Sequence, residues 1–195
     1  MIGRRLGWSR AALVGLLLGS GYPGTAATAT AATGFVEQTV VVDGESRRWL
    51  RRDPPTAQAP RGIVLLLHGN GSSADEITDL SKPRATQQWL PIADRAGLRL
   101  LVPDGAPGAG GRRGWNDCRG DAATNPSGDD VRFFERMLQR ERRGAWRRVP
   151  VYVVGYSNGG SMALRMAIER PRQVGGVVAI AAAMPAASEC RPDRK

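Results

Sequence analysis

Histidine occurs once in these 195 residues, cysteine twice and lysine only at Lys82 and Lys195. The cysteines, Cys118 and Cys190, form no Cys-x-x-Cys pair, and with His68 alone they argue against a zinc centre. No other cofactor is implied. Aromatic residues make up 6% and do not interleave with the basic ones, so the sequence lacks the stacking platform of a single-strand nucleic-acid binder. The net charge of +10 rests almost wholly on Arg, spread along a chain rich in Ala and Gly. That bias reads as codon composition as much as function, and no nucleic-acid partner is expected. No apolar run reaches the ~20 residues of a membrane span, and there is no internal repeat. Hydrophobic residues at 42% fit one globular domain with a substantial core.

The N-terminus has the three parts of an export leader. Arg4, Arg5 and Arg10 form a basic region, Ala11 to Leu18 an apolar stretch, and Thr25-Ala26-Ala27 and Ala29-Thr30-Ala31 offer small residues for cleavage. Residues 1–32 are therefore expected to be a signal peptide and 33–195 the mature domain, secreted or periplasmic. An uncleaved anchor is the alternative, and Arg4-Arg5 is a weak match to a twin-arginine signal. Removing the leader takes away three Arg and no acid, so the mature chain stays basic. An oxidising compartment would permit a Cys118–Cys190 disulfide.

From Phe35 the pattern is strand-like, and Asp43-Gly44 is a two-residue hairpin signal ahead of Arg47 to Leu50. Four apolar runs follow: Ile63 to Leu67, Leu98 to Val102, Val149 to Val154, and the weaker Gly175 to Ala181. Each is too short for a helix and reads as a strand buried on both faces. Helical patterns over Ala85 to Ala96, Asp129 to Arg143 and Ser157 to Glu169 lie between or beside them. Such alternation predicts an α/β fold, a mostly parallel sheet with helices on both faces. Gly105 to Gly128 is a long irregular connection, and loops of that length are usually functional.

Chemistry concentrates at Gly155-Tyr156-Ser157-Asn158-Gly159, which follows an apolar strand and opens a helix. Small residues two before and two after a serine allow the sharp turn that lifts its hydroxyl clear of the sheet. Ser157 is the candidate nucleophile. Folds with this elbow hold the oxyanion with the N–H after the nucleophile and one from the loop after an early strand. Those candidates are the backbone N–H groups of Asn158 and of Asn70, within Leu67-His68-Gly69-Asn70-Gly71. His68, directly after its strand, is expected to brace that loop. As the only histidine it is also the alternative general base, although the usual order puts the base after the serine. Trp115, in Gly114-Trp115-Asn116-Asp117-Cys118, is a candidate substrate-binding wall or an anchor for its loop. Asp129-Asp130 is expected to start a helix, where carboxylates favour the N-terminal dipole.

Together these blocks resemble the secreted polyhydroxybutyrate depolymerase and feruloyl esterase group of α/β-hydrolases. The matching segments are Leu65 to Gly69, Gly114 to Asp117, Asp129 to Phe133 and Val151 to Met162. The resemblance runs from about Phe35 to Cys190, and it implies hydrolysis of polymer, oligomer or aryl esters through an acyl-enzyme. Members of that group continue past a Cys-x-Pro segment, here Cys190-Arg191-Pro192, into a strand with the triad acid and then the histidine. This sequence reaches Lys195, so on the resemblance the sheet is expected to be incomplete at its C-terminal edge and the triad acid and base to be absent. A secreted binding protein on a hydrolase scaffold and an acyltransferase are the alternative functions. Neither substrate identity nor oligomeric state follows from the sequence.

Overall fold

The computed structural model describes residues 29–30, 34–55, 59–82, 85–186 and 189. The expected leader lies outside them except for Ala29 and Thr30, which form β1 (Ala29–Thr30) and pair antiparallel with Val36 and Phe35. β2 (Phe35–Val42) and β3 (Glu45–Arg52) make the expected hairpin, turning through Asp43 and Gly44, both in the left-handed region.

β4 (Gly62–Leu67) is buried along its whole length, which is why its sequence is uniformly apolar. A short helix, α1 (Ala74–Thr78), follows, capped by Ser73, whose Oγ accepts from the Glu76 N–H. A 3-10 turn over Ala85–Gln88 leads into α2 (Trp89–Ala96), and Gly97 ends that helix in the left-handed conformation. β5 (Leu98–Pro103) is followed by a minute hairpin of β6 (Ala106–Pro107) and β7 (Arg113–Gly114). Then come α3 (Asp130–Glu141), β8 (Val151–Tyr156), α4 (Asn158–Glu169) and β9 (Gly176–Ile180).

The main sheet has the order β1-β2-β3-β5-β4-β8-β9. β5, β4, β8 and β9 are mutually parallel, and the N-terminal strands add on antiparallel at β3–β5. Both faces carry core. On one, Ile63, Leu65, Leu67 and Val153 meet Phe133, Phe134 and Met137 of α3 and Met162 and Met166 of α4. On the other, Val64, Leu66, Leu100 and Val102 meet Ala74 and Ile77 of α1 and Leu90 and Ala93 of α2. β4 supplies both cores because alternate side chains of one strand point to opposite faces.

Charges are drawn inside where they have partners. Arg99 donates to the Glu141 carboxylate at 3.1 Å and lies 4.2 Å from the Trp146 ring centroid, while Trp49 Nε1–H donates to the same carboxylate at 2.9 Å. This polar cluster fastens β3 and β5 to the end of α3. Among the described residues no helix is long and apolar enough to cross a membrane. β9 is the last strand of the sheet there, with Val178 and Ile180 exposed.

Candidate active site

The carboxyl ends of β4, β5 and β8 meet on one side of the sheet, and the loops that leave them converge. Ser157 stands between β8 and α4 with φ 54° and ψ −122°. A non-glycine residue in that region is strained by ~1–3 kcal/mol and is held there only by its surroundings. Those surroundings are tight. The Ser157 N–H donates to the Ile180 carbonyl at 2.8 Å, and the Ser157 carbonyl accepts from Ser161 N–H at 3.0 Å. The flanking glycines are needed for close approach. A Cβ on Gly155 would lie 2.1 Å from the Gly159 carbonyl oxygen, and one on Gly159 would lie 2.4 Å from that of His68.

The loop after β4 lies against this turn. A Cβ on Gly69 would be 3.5 Å from Ser157 Cβ, so Asn70 follows directly on the residue that touches the candidate nucleophile. Among the described residues the backbone N–H groups of Asn70 and Asn158 have no acceptor. At the head of α4, the Asn158 N–H adds the helix's partial positive charge.

The Asn158 side chain does something the sequence did not disclose. Its Oδ1 accepts from Trp115 N–H at 2.7 Å, and its Nδ2 donates to the Trp115 carbonyl at 3.0 Å and to Asp117 Oδ2 at 2.9 Å. One buried amide thus pairs with a loop residue as a neighbouring β-strand would, and ties the Gly114–Asp117 loop to the elbow. Gly114 sits in this joint, where a Cβ would lie 3.0 Å from Asn158 Oδ1 and 3.1 Å from Asn70 Nδ2. Asp117 is also bound by Arg119 Nε at 3.1 Å and Asn125 Nδ2 at 2.8 Å.

Trp115 is the anchor of its loop and not a substrate wall. Its side chain is fully buried, its Nε1–H donates to the His68 carbonyl at 2.8 Å, and its ring packs on His68 at 4.9 Å and Phe134 at 5.4 Å. A ring with no exposed surface cannot line a binding face. His68 is likewise occupied. Gly105 N–H donates to Nε2 at 2.9 Å, which leaves the proton on Nδ1, 2.8 Å from the Gly69 carbonyl that accepts it. Both nitrogens are used, the ring is buried, and burial lowers its pKa despite Asp104 nearby. His68 is a neutral brace and cannot be the base for Ser157.

Of the two acids before α3, Asp129 caps the helix by accepting from Arg132 N–H at 2.9 Å. Asp130 goes beyond helix starting. It is fully buried, accepts from Arg47 Nη2 at 2.6 Å and from Asn116 N–H at 2.7 Å, and so joins β3 to the Trp115 loop. Burial pushes its carboxyl pKa up, opposed chiefly by the Arg47 guanidinium. Cys118 is disulfide-bonded. Cys190 lies outside the described residues.

Residues 62–194 match the family model described as alpha/beta hydrolase fold. The chain belongs to that family. Among its relatives, "Putative esterase NocK" of Nocardia uniformis subsp. tsuyamanensis is 36% identical over 159 residues, 78% of this chain and 43% of NocK. Feruloyl esterase D of Neurospora crassa is 30% identical over 153 residues, 74% of this chain and 48% of the esterase. The chain thus spans less than half the length of either. The crystal structure of LpqC, the poly(3-hydroxybutyrate) depolymerase of Bordetella parapertussis, aligns with TM-score 0.51 at 22% identity, over 74% of this chain and 50% of that one. An S-formylglutathione hydrolase from Agrobacterium tumefaciens aligns with TM-score 0.55 at 14% identity, over 78% and 59%. At these identities the two structures establish the fold of this hydrolase-family chain and nothing finer.

Proposed function

We propose that the protein is a secreted or periplasmic serine carboxylic-ester hydrolase of the polyhydroxybutyrate depolymerase or feruloyl esterase kind. The observation that carries this reading is the strained Ser157 turn with the Asn70 and Asn158 N–H groups unengaged beside it. The names of the two curated relatives support the esterase class, and the basic and apolar segments at Arg4 to Leu18 support export.

In the reaction, Ser157 Oγ attacks the ester carbonyl carbon as a base removes its proton. The carbonyl π electrons move onto oxygen, and the Asn70 and Asn158 N–H groups hold the oxyanion. Collapse breaks the bond to the alkoxide, which leaves with a proton as the alcohol and gives an acyl-enzyme. Water adds to the acyl carbon, and the acid departs as the proton returns to Ser157. The base is a group other than His68, whose two nitrogens are committed to Gly105 and Gly69.

A fluorophosphonate probe followed by peptide mass spectrometry tests the nucleophile. In the protein complete with its general base the label is expected on Ser157 and absent from Ser157→Ala; equal labelling of the variant would overturn the assignment.

A further inference from the structure

The hairpin of β6 and β7 rests on the loop after β4, and Arg112 lies at the contact. Gly71 N–H donates to the Arg113 carbonyl at 2.7 Å, which sets the two segments side by side. Gly71 has φ +79°, and a Cβ there would lie 2.8 Å from Arg112 Nη2, 3.1 Å from Nε and 3.3 Å from Cζ. The bare face of Gly71 leaves room for the guanidinium to sit this close. Gly71 directly follows Asn70, and Gly69, which touches Ser157, is two Cα steps away, at most ~7.6 Å along the chain. The cation therefore lies near the edge of the candidate oxyanion site.

Other guanidiniums near this end of the sheet have partners, Arg113 donating to the Gly105 carbonyl at 3.1 Å. Arg47 pairs with Asp130, Arg48 with Asp104, and Arg119 with Asp117. Arg112 is exposed and, among the described residues, has no carboxylate partner. Its planar fork is free to accept a carboxylate through two parallel N–H···O bonds.

We infer that Arg112 is a specificity-determining residue, favouring esters that carry a free carboxylate a few bonds from the scissile carbonyl. Half-esters of dicarboxylic acids and hydroxyacid oligomers ending in a carboxylate have that chemistry. The inference rests on the esterase reading of Ser157.

Two 4-nitrophenyl alkylphosphonate probes test it, identical except that one ends in a carboxylate and the other in its methyl ester, about four methylenes from phosphorus. Labelling rates at Ser157 are compared in the protein complete with its general base. The carboxylate probe is expected to react about fivefold faster, the size of a partly exposed ion pair, and 0.5 M salt should shrink the preference. Arg112→Gln should bring the ratio to about one, and Arg112→Lys should keep part of it. Arg132→Gln, which removes an exposed guanidinium paired with Asp43 on the β2–β3 turn, should leave the parent ratio. A parent ratio of one or less, or a ratio unmoved by Arg112→Gln, would overturn the role of Arg112 and leave the esterase reading standing. Failure of both probes to label Ser157 would remove the esterase reading, and this inference with it.

Discussion

The joint between the elbow and the Trp115 loop depends on one side chain, so its removal should be measurable. In Asn158→Ala the Trp115 N–H and carbonyl and one Asp117 oxygen lose partners now at 2.7, 3.0 and 2.9 Å. A buried donor or acceptor left unsatisfied costs ~1–3 kcal/mol. Asp117 keeps Arg119 and Asn125, so the larger losses fall on the Trp115 backbone, where rearrangement is limited by the buried ring. The expected destabilisation is about 3 kcal/mol. Asn158→Asp is the sharper variant. Its carboxylate can still accept from Trp115 N–H, but it faces the Trp115 carbonyl and the Asp117 carboxylate without a proton to offer. At pH 8 it should be less stable than Asn158→Ala, and the order should narrow as the pH falls and a proton returns. Equilibrium urea unfolding followed by tryptophan fluorescence gives both values. If both variants lie within about 0.5 kcal/mol of the parent, the amide is not what holds the loop.

Two further outcomes are expected. Burial lowers the His68 pKa, so below the unfolded value of about 6.5 the unfolded chain binds a proton that the folded one refuses. Stability from this group is thus full above about pH 6.5 and falls with decreasing pH by up to ~1.4 kcal/mol per unit; His68→Gln should lack that slope in urea titrations between pH 7 and 5. Ser157→Gly should relieve the strain at φ 54° and stabilise the fold by about 1 kcal/mol after the entropy cost of glycine, read as a higher thermal midpoint. Ser157→Ala, with its Cβ retained, should not; a midpoint for Ser157→Gly below that of Ser157→Ala by the full entropy cost of glycine would mean that the turn stores no strain.

The sequence was most legible where local rules act alone. The elbow at Gly155 to Gly159 could be read because few residues tolerate that turn, and the buried strands could be read because an uninterrupted apolar run has few other uses. Boundaries were less sharp. The strand expected from Val149 runs from Val151 to Tyr156, because Gly155 and Tyr156 still pair with Ala179 and Ile180. The five residues of α1 were too few to show a period.

What the sequence by itself determined is the α/β alternation, the β2–β3 hairpin, the candidate nucleophile and the loop that approaches it. All depend on contacts between near neighbours or on the burial period of single elements. Only the tertiary structure decided what Trp115, His68, Asn158, Asp130 and Arg112 do. An indole, an imidazole, an amide, a carboxylate or a guanidinium can brace a loop, bind a ligand or face water. The choice depends on partners dozens of residues away in the chain: His68 beneath Trp115, Asn158 against the Trp115 backbone, Arg47 on Asp130, and Gly71 under Arg112.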